Sequence, residues 1–258
     1  MNEAMNSLQL FVAVVFVSIA LCALGVESTY LRDYNGTCGK NLTWTFSSSD
    51  LVLRISGTGE MDNVSYYSPF VYPCSSSSDL FSVIVEEGVT SIGNYTFIKC
   101  QLLGQVTLPS TLSSIAKFAF TECSSLENVT IGSGLVTIGE NAFLKCTNLT
   151  NINFPPTLTS ISKYAFQSCT NLKDIILPSS LSSIEKYVFS YCSHLTSITI
   201  PSNVTEIKDG AFGCCSGLIN VTIEYGVTKI GESVFSSCTN LRNINLPSSI
   251  TSIGKQVF

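Results

Sequence analysis

From residue 92 onward the chain repeats itself every 23 residues. Isoleucine recurs at positions 92, 115, 138, 161, 184, 207, 230 and 253, and phenylalanine at 97, 120, 143, 166, 189, 212, 235 and 258. Cysteine keeps the same register at Cys100, Cys123, Cys146, Cys169, Cys192, Cys215 and Cys238, with a leucine three residues after each, from Leu103 to Leu241. A unit of this length cannot bury its own apolar positions. It must stack on copies of itself, which excludes a conventional single-core domain and specifies a solenoid.

One unit shows the local logic. Val129 and Ile131 alternate with Asn128 and Thr130, the period of a strand with one buried face. Proline closes most of these strands, at Pro109, Pro155, Pro178, Pro201 and Pro247, where no further ladder donor is needed. The stretch from Ile138 to Cys146 is too short for a long helix and predicts a helical or 3₁₀ turn. Each unit thus offers a strand, a turn and a short return segment, with the strands stacked in one parallel sheet.

The pattern Leu-x-x-Ile-x-Leu-Pro-Ser-Ser-Leu-x-Ser-Ile-x-x-x-x-Phe-x-x-Cys at 172–192 resembles the leucine-rich repeat of BspA-like surface proteins. The resemblance extends over about residues 81–258. It implies a leucine-rich repeat solenoid of the α/β type: a parallel sheet on the concave side, short helical or 3₁₀ return segments, and about eight units with the last incomplete. Residues 26–80 read as an N-terminal β cap module, within which Cys38–Phe46 and Leu51–Met61 resemble that family's leader module. There Leu42, Trp44 and Phe46 alternate, as do Leu51, Leu53 and Ile55, which predicts a β-hairpin turning at Ser47–Asp50 and capping the first repeat. The chain stops at Phe258, before the cysteine and leucine of its unit, and no polar cap follows; a fragment or truncated product is the expectation.

Leu8 to Val26 carries no charge. It reads as a signal peptide over residues 1–25, cleaved after Gly25, with an uncleaved membrane anchor as the alternative. Export permits disulfides and glycans. Candidate N-glycosylation sequons stand at Asn35, Asn41, Asn63, Asn94, Asn128, Asn148, Asn203 and Asn220.

Only 12% of residues are charged and the net charge is −5, so no basic field exists to hold nucleic acid. The lone histidine, His194, falls in a turn with no nucleophile partner, which argues against hydrolase chemistry. The repeat cysteines read as a stacked core column of inert thiols rather than a converging metal site. Cys38 and Cys74 fall outside it, and a disulfide between them is an expectation. Cys214 is left as a free surface thiol or an intermolecular link.

The outward rows of the stacked strands hold the candidate binding residues. One row is Gln105, Asn128, Asn151, Asp174, Ser197, Asn220 and Asn243; the other is Thr107, Thr130, Asn153, Ile176, Thr199, Thr222 and Asn245. These rows either bind a partner or only solvate the sheet. Mixed charges three residues before each phenylalanine (Lys117, Glu140, Lys163, Lys186, Asp209, Glu232, Lys255) read as a solvated face. By resemblance, the chain is an exported, secreted or cell-surface recognition protein, adhesin-like. It would bind host matrix or cell-surface proteins through the concave face and need no cofactor. A structural coat or spacer protein is the alternative, and membrane contact would come only through an uncleaved N-terminal segment or a C-terminal anchor.

Overall fold

The computed structural model describes residues 34–64 and 80–258. The expected signal segment 1–25 and Cys74 lie outside the described residues. The chain winds as a succession of coils, each giving one strand to a long sheet and a second, generally shorter strand to another. The long sheet opens with an antiparallel meander, β1 (Tyr34–Gly39), β2 (Leu42–Ser47) and β3 (Val52–Gly57). Parallel strands follow, one per coil: β5 (Ser82–Val85), β7 (Gln105–Thr107), β9 (Asn128–Thr130), β11 (Asn151–Asn153) and β13 (Asp174–Ile176). β15 (Ser197–Ile200), β17 (Asn220–Ile223) and β19 (Asn243–Asn245) continue it as a separate ladder. The cap is therefore continuous with the repeats, because β3 pairs in parallel with β5.

The conserved-register isoleucines form the second sheet. Its strands are β4 (Gly59–Glu60), β6 (Val89–Ile92), β8 (Ser114–Ile115), β10 (Thr137–Ile138), β12 (Ser160–Ile161), β14 (Ser183–Ile184), β16 (Glu206–Ile207), β18 (Lys229–Ile230) and β20 (Ser252–Ile253). This ladder is interrupted between β12 and β14, one coil before the break between β13 and β15. Paired residues in successive coils are 23 apart, as in Asn151↔Asp174 and Ile138↔Ile161, so the sequence period is the register.

The core lies between the two sheets and the return segments. Val106, Val129, Ile152, Ile175, Ile198 and Val221 point inward from the long sheet and are buried. The eight phenylalanines from Phe97 to Phe258 stack in one column, centroids 5.1–6.2 Å apart and planes within 15°. Beside them, each column thiol from Cys123 to Cys238 donates to the phenylalanine carbonyl 26 residues earlier; Cys146 Sγ reaches Phe120 O at 3.1 Å. A cysteine there fills a small apolar space and adds a donor, which alanine would lack.

The return segments are not helical or 3₁₀. The seven from Tyr95 to Ser237 each contain two residues in the left-handed region, at Tyr95, Phe118, Asn141, Tyr164, Tyr187, Gly210 and Ser233, and four residues later at Lys99, Glu122, Lys145, Ser168, Tyr191, Cys214 and Ser237; Gln256 repeats the first position in the last coil. A helix would spend its N–H groups within the coil. The left-handed residues instead turn alternate N–H groups along the solenoid axis: Tyr95, Phe97 and Lys99 donate to Lys117, Ala119 and Thr121 of the next coil at 3.1, 2.8 and 2.7 Å. The backbone strain at bulky residues such as Tyr164 is thus offset by hydrogen bonds that tie coil to coil.

Candidate functional site

All fourteen outward residues, from Gln105 and Thr107 to Asn243 and Asn245, are exposed on the long sheet. The buried alternate residues beneath them fix the strand pleat, so the side chains stand in two rows with no local choice of orientation. Asn243 Nδ2 donates to Asn220 Oδ1 at 2.8 Å, and Asn151 Nδ2 to Thr150 Oγ1 at 3.4 Å. Most of the remaining amides and hydroxyls keep their donors and acceptors open to solvent. Ile176, 81% exposed, is the apolar exception in these rows.

The face extends beyond the repeats. Thr45 pairs with Arg54, Arg54 with Ile84 and Ile84 with Thr107, so the cap prolongs the second row and adds a guanidinium to it. Thr43, Thr45 and Arg54 were legible as the outward alternates of the hairpin; what the sequence did not show is that β3 joins the repeat sheet.

The other candidate residues take varied places. Cys123 to Cys238 are buried free thiols, and burial pushes those in the column up; Cys238, at the end, rises to about 11. Cys100 is disulfide-bonded instead. The expected Cys38–Cys74 disulfide is not formed, because Cys38 is a free thiol. It lies buried on the inner side of β1, where burial and then Asp62 raise it to about 11. Cys214 is free and half-buried at a left-handed position. His194 is exposed, its Nδ1 donating to Thr170 O at 2.7 Å. Among the described residues no three His, Cys, Asp or Glu side chains cluster closely enough to hold a metal.

The sequons are not equivalent. Asn35, Asn41, Asn63, Asn148 and Asn203 are exposed, Asn128 and Asn220 stand on the outward face, and Asn94 is half-buried. Asn94 Oδ1 accepts from Lys117 N at 3.0 Å, and Thr96 of its sequon is buried and donates to Gly93 O. The charged return positions are more than a solvated face where neighbouring coils carry opposite signs, as they do from Lys117 to Lys163 and from Lys186 to Asp209. Glu140 meets Lys117 and Lys163 at 3.8 and 3.4 Å, and Lys186 meets Asp209 at 2.7 Å. Hydrogen bonding to Lys186, then to the Glu232 N–H, holds the Asp209 carboxyl below its usual range. Exposed to solvent and salt, such pairs contribute little to stability.

No match appears among curated proteins. Among solved structures, the T. pallidum leucine-rich repeat protein is 26% identical, with a TM-score of 0.60 over 80% of this chain and 90% of that one. A leucine-rich repeat protein from Eubacterium ventriosum is 24% identical, with a TM-score of 0.52 over 86% and 73% of the two chains. The profile of the BspA-type leucine-rich repeat region, in six copies, matches residues 72–195 and 159–258. With that profile covering most of its length and the 23-residue coils present in three dimensions, the chain belongs to the BspA-type leucine-rich repeat family.

Proposed function

We propose that this protein is exported, held at or released from the cell surface, and acts by recognition rather than catalysis. It binds protein partners, of the host-matrix or cell-surface kind, through the exposed face of the long sheet. The observation that carries this reading is the pair of rows from Gln105 to Asn245: amides and hydroxyls with one carboxylate, Asp174, and one apolar side chain, Ile176, exposed and held at fixed spacing by a buried core. A rigid array of this kind makes many weak hydrogen bonds at little cost in side-chain ordering, and copies on one surface add avidity. Support for export comes from the apolar, uncharged Leu8–Val26 stretch. Among the described residues no helix is long and apolar enough to cross a membrane.

The test is binding of the purified protein to immobilised matrix proteins and to whole cells, beside a variant carrying Asn151→Lys, Asn153→Lys and Thr199→Lys. Saturable binding that the variant loses supports the reading and locates the site. Binding that survives moves the site off these rows. A folded protein that binds nothing favours the coat or spacer role, for which mutually satisfied pairs such as Asn220–Asn243 would suffice.

A further inference from the structure

Two columns beside the long sheet are polar in most coils but carry apolar or small residues near its start, Phe81 and Gly104 in the first column and Leu102, one register after Asp79, in the second. The residue just before the strand is Glu127, Thr150, Lys173, Thr196, Ile219 and Arg242 in later coils, but Phe81 and Gly104 at the start. Two residues earlier, Ser125, Asn148, Asn171, His194, Gly217 and Asn240 are preceded by Leu102. The exceptions meet in space. Phe81 and Leu102, each 50% exposed, line one cleft with Leu51, Gln105, Ser125 and Glu127. Gly104 forms its floor: a Cβ there would lie 2.9 Å from Phe81 Cε2, so the missing side chain lets the phenyl ring lie across the sheet edge.

The cleft adjoins the outward face through Gln105, which belongs to both. Its wall also carries a charge. The Glu127 side chain makes no hydrogen bond or ion pair among the described residues, whereas Glu122, Glu140, Glu185 and Glu206 are each paired with a lysine one coil away. The coils flanking Glu127 offer Gly104 and Thr150 at its register, so no neighbour supplies a cation.

We propose that this cleft is an anchor site for an extended protein segment that seats one apolar side chain between Phe81 and Leu102 and sets a lysine or arginine against Glu127. An apolar anchor in a small pocket with a polar rim is the usual form of an interface hot spot. The cation follows from the unpaired carboxylate on the wall, and side chains two residues apart in an extended segment share a face about 7 Å apart. The inference rests on the recognition reading and narrows it to one end of the sheet and one partner chemistry.

The test uses fluorescein-labelled nine-residue peptides of Ser, Thr and Gly with one central Leu and, two residues on, Lys or Glu. Anisotropy is measured with the full chain and with Leu102→Asn, which installs the side chain that three later coils carry, and Glu127→Lys. The Leu/Lys peptide should bind the unaltered protein at least tenfold more tightly than Leu102→Asn. Glu127→Lys should exchange its preference for the Leu/Glu peptide. No peptide binding by the folded protein, or binding indifferent to both substitutions, overturns the cleft assignment. Self-association that Leu102→Asn abolishes overturns it in favour of a second copy as occupant. Matrix or cell binding lost by the three-lysine face variant, without peptide binding, leaves general recognition standing and removes only the cleft.

Discussion

The ring of Tyr187 fills the space that a side chain at Gly210 would need: a Cβ on Gly210 would collide with Tyr187 Cε1 and Cδ1. Tyr187 stacks on Tyr164 at 5.4 Å on its other side, so the aromatic ladder ends on a glycine. Gly210 is also left-handed, at φ +61°, like the residues at its register from Tyr95 to Gln256. Gly210→Ala should therefore destabilise the protein by about 1–3 kcal/mol through overpacking and backbone strain together. Adding Tyr187→Ala should recover the overpacking part, giving a clear coupling in a double-mutant cycle by urea denaturation. Additive losses would mean that the ring and the glycine are not in contact.

The phenylalanine column predicts a steep dependence on position. Phe166 is fully buried, stacked on Phe143 and Phe189 and met edge-on by Phe154. Its replacement by alanine should cost about 3–5 kcal/mol. Phe258, 63% exposed at the end of the same column, should tolerate alanine to within about 0.5 kcal/mol. Thermal melts of the two variants make the comparison.

The buried thiols set an alkaline limit. Cys123, Cys146, Cys169, Cys192 and Cys215 titrate well above the ordinary thiol value because burial disfavours the thiolate. Above about pH 8.5 the unfolded chain loses these protons while the folded one keeps them. Stability is thus full below that pH and falls as pH rises, by about 1.4 kcal/mol per thiol per pH unit once the unfolded thiols are ionised. Denaturation midpoints between pH 7 and 10.5 should drop, and a Cys169→Ala variant, already weakened by about 1–2 kcal/mol at neutral pH, should show a shallower slope.

Cysteine labelling separates the two disulfide assignments. Alkylation in denaturant without reductant should modify Cys38, which is free, and spare Cys100, which is disulfide-bonded. Peptide mass mapping before and after reduction reads this directly. Protection of Cys38 would restore the pairing expected from its place in the cap.

The 23-residue register by itself determined the stacking, the strand faces and the core. A side chain such as Val129 or Phe143 can be buried in a unit this small only against its equivalents one coil away, so period, alternation and apolar columns admit one arrangement. The outward rows from Gln105 to Asn245 followed for the same reason, since alternation leaves them no inner position. Tertiary structure decided what side-chain type does not encode. Tyr164, Lys145 and Glu122 have no intrinsic preference for left-handed backbone and adopt it because it directs N–H groups to the next coil. Two-residue strands such as Ser160–Ile161 are too short to show alternation and exist only through their neighbours. The fate of Cys38 and Cys100, the pairing of β3 with β5, and the meeting of Phe81 with Leu102 and Glu127 depend on distances between units that no local pattern records.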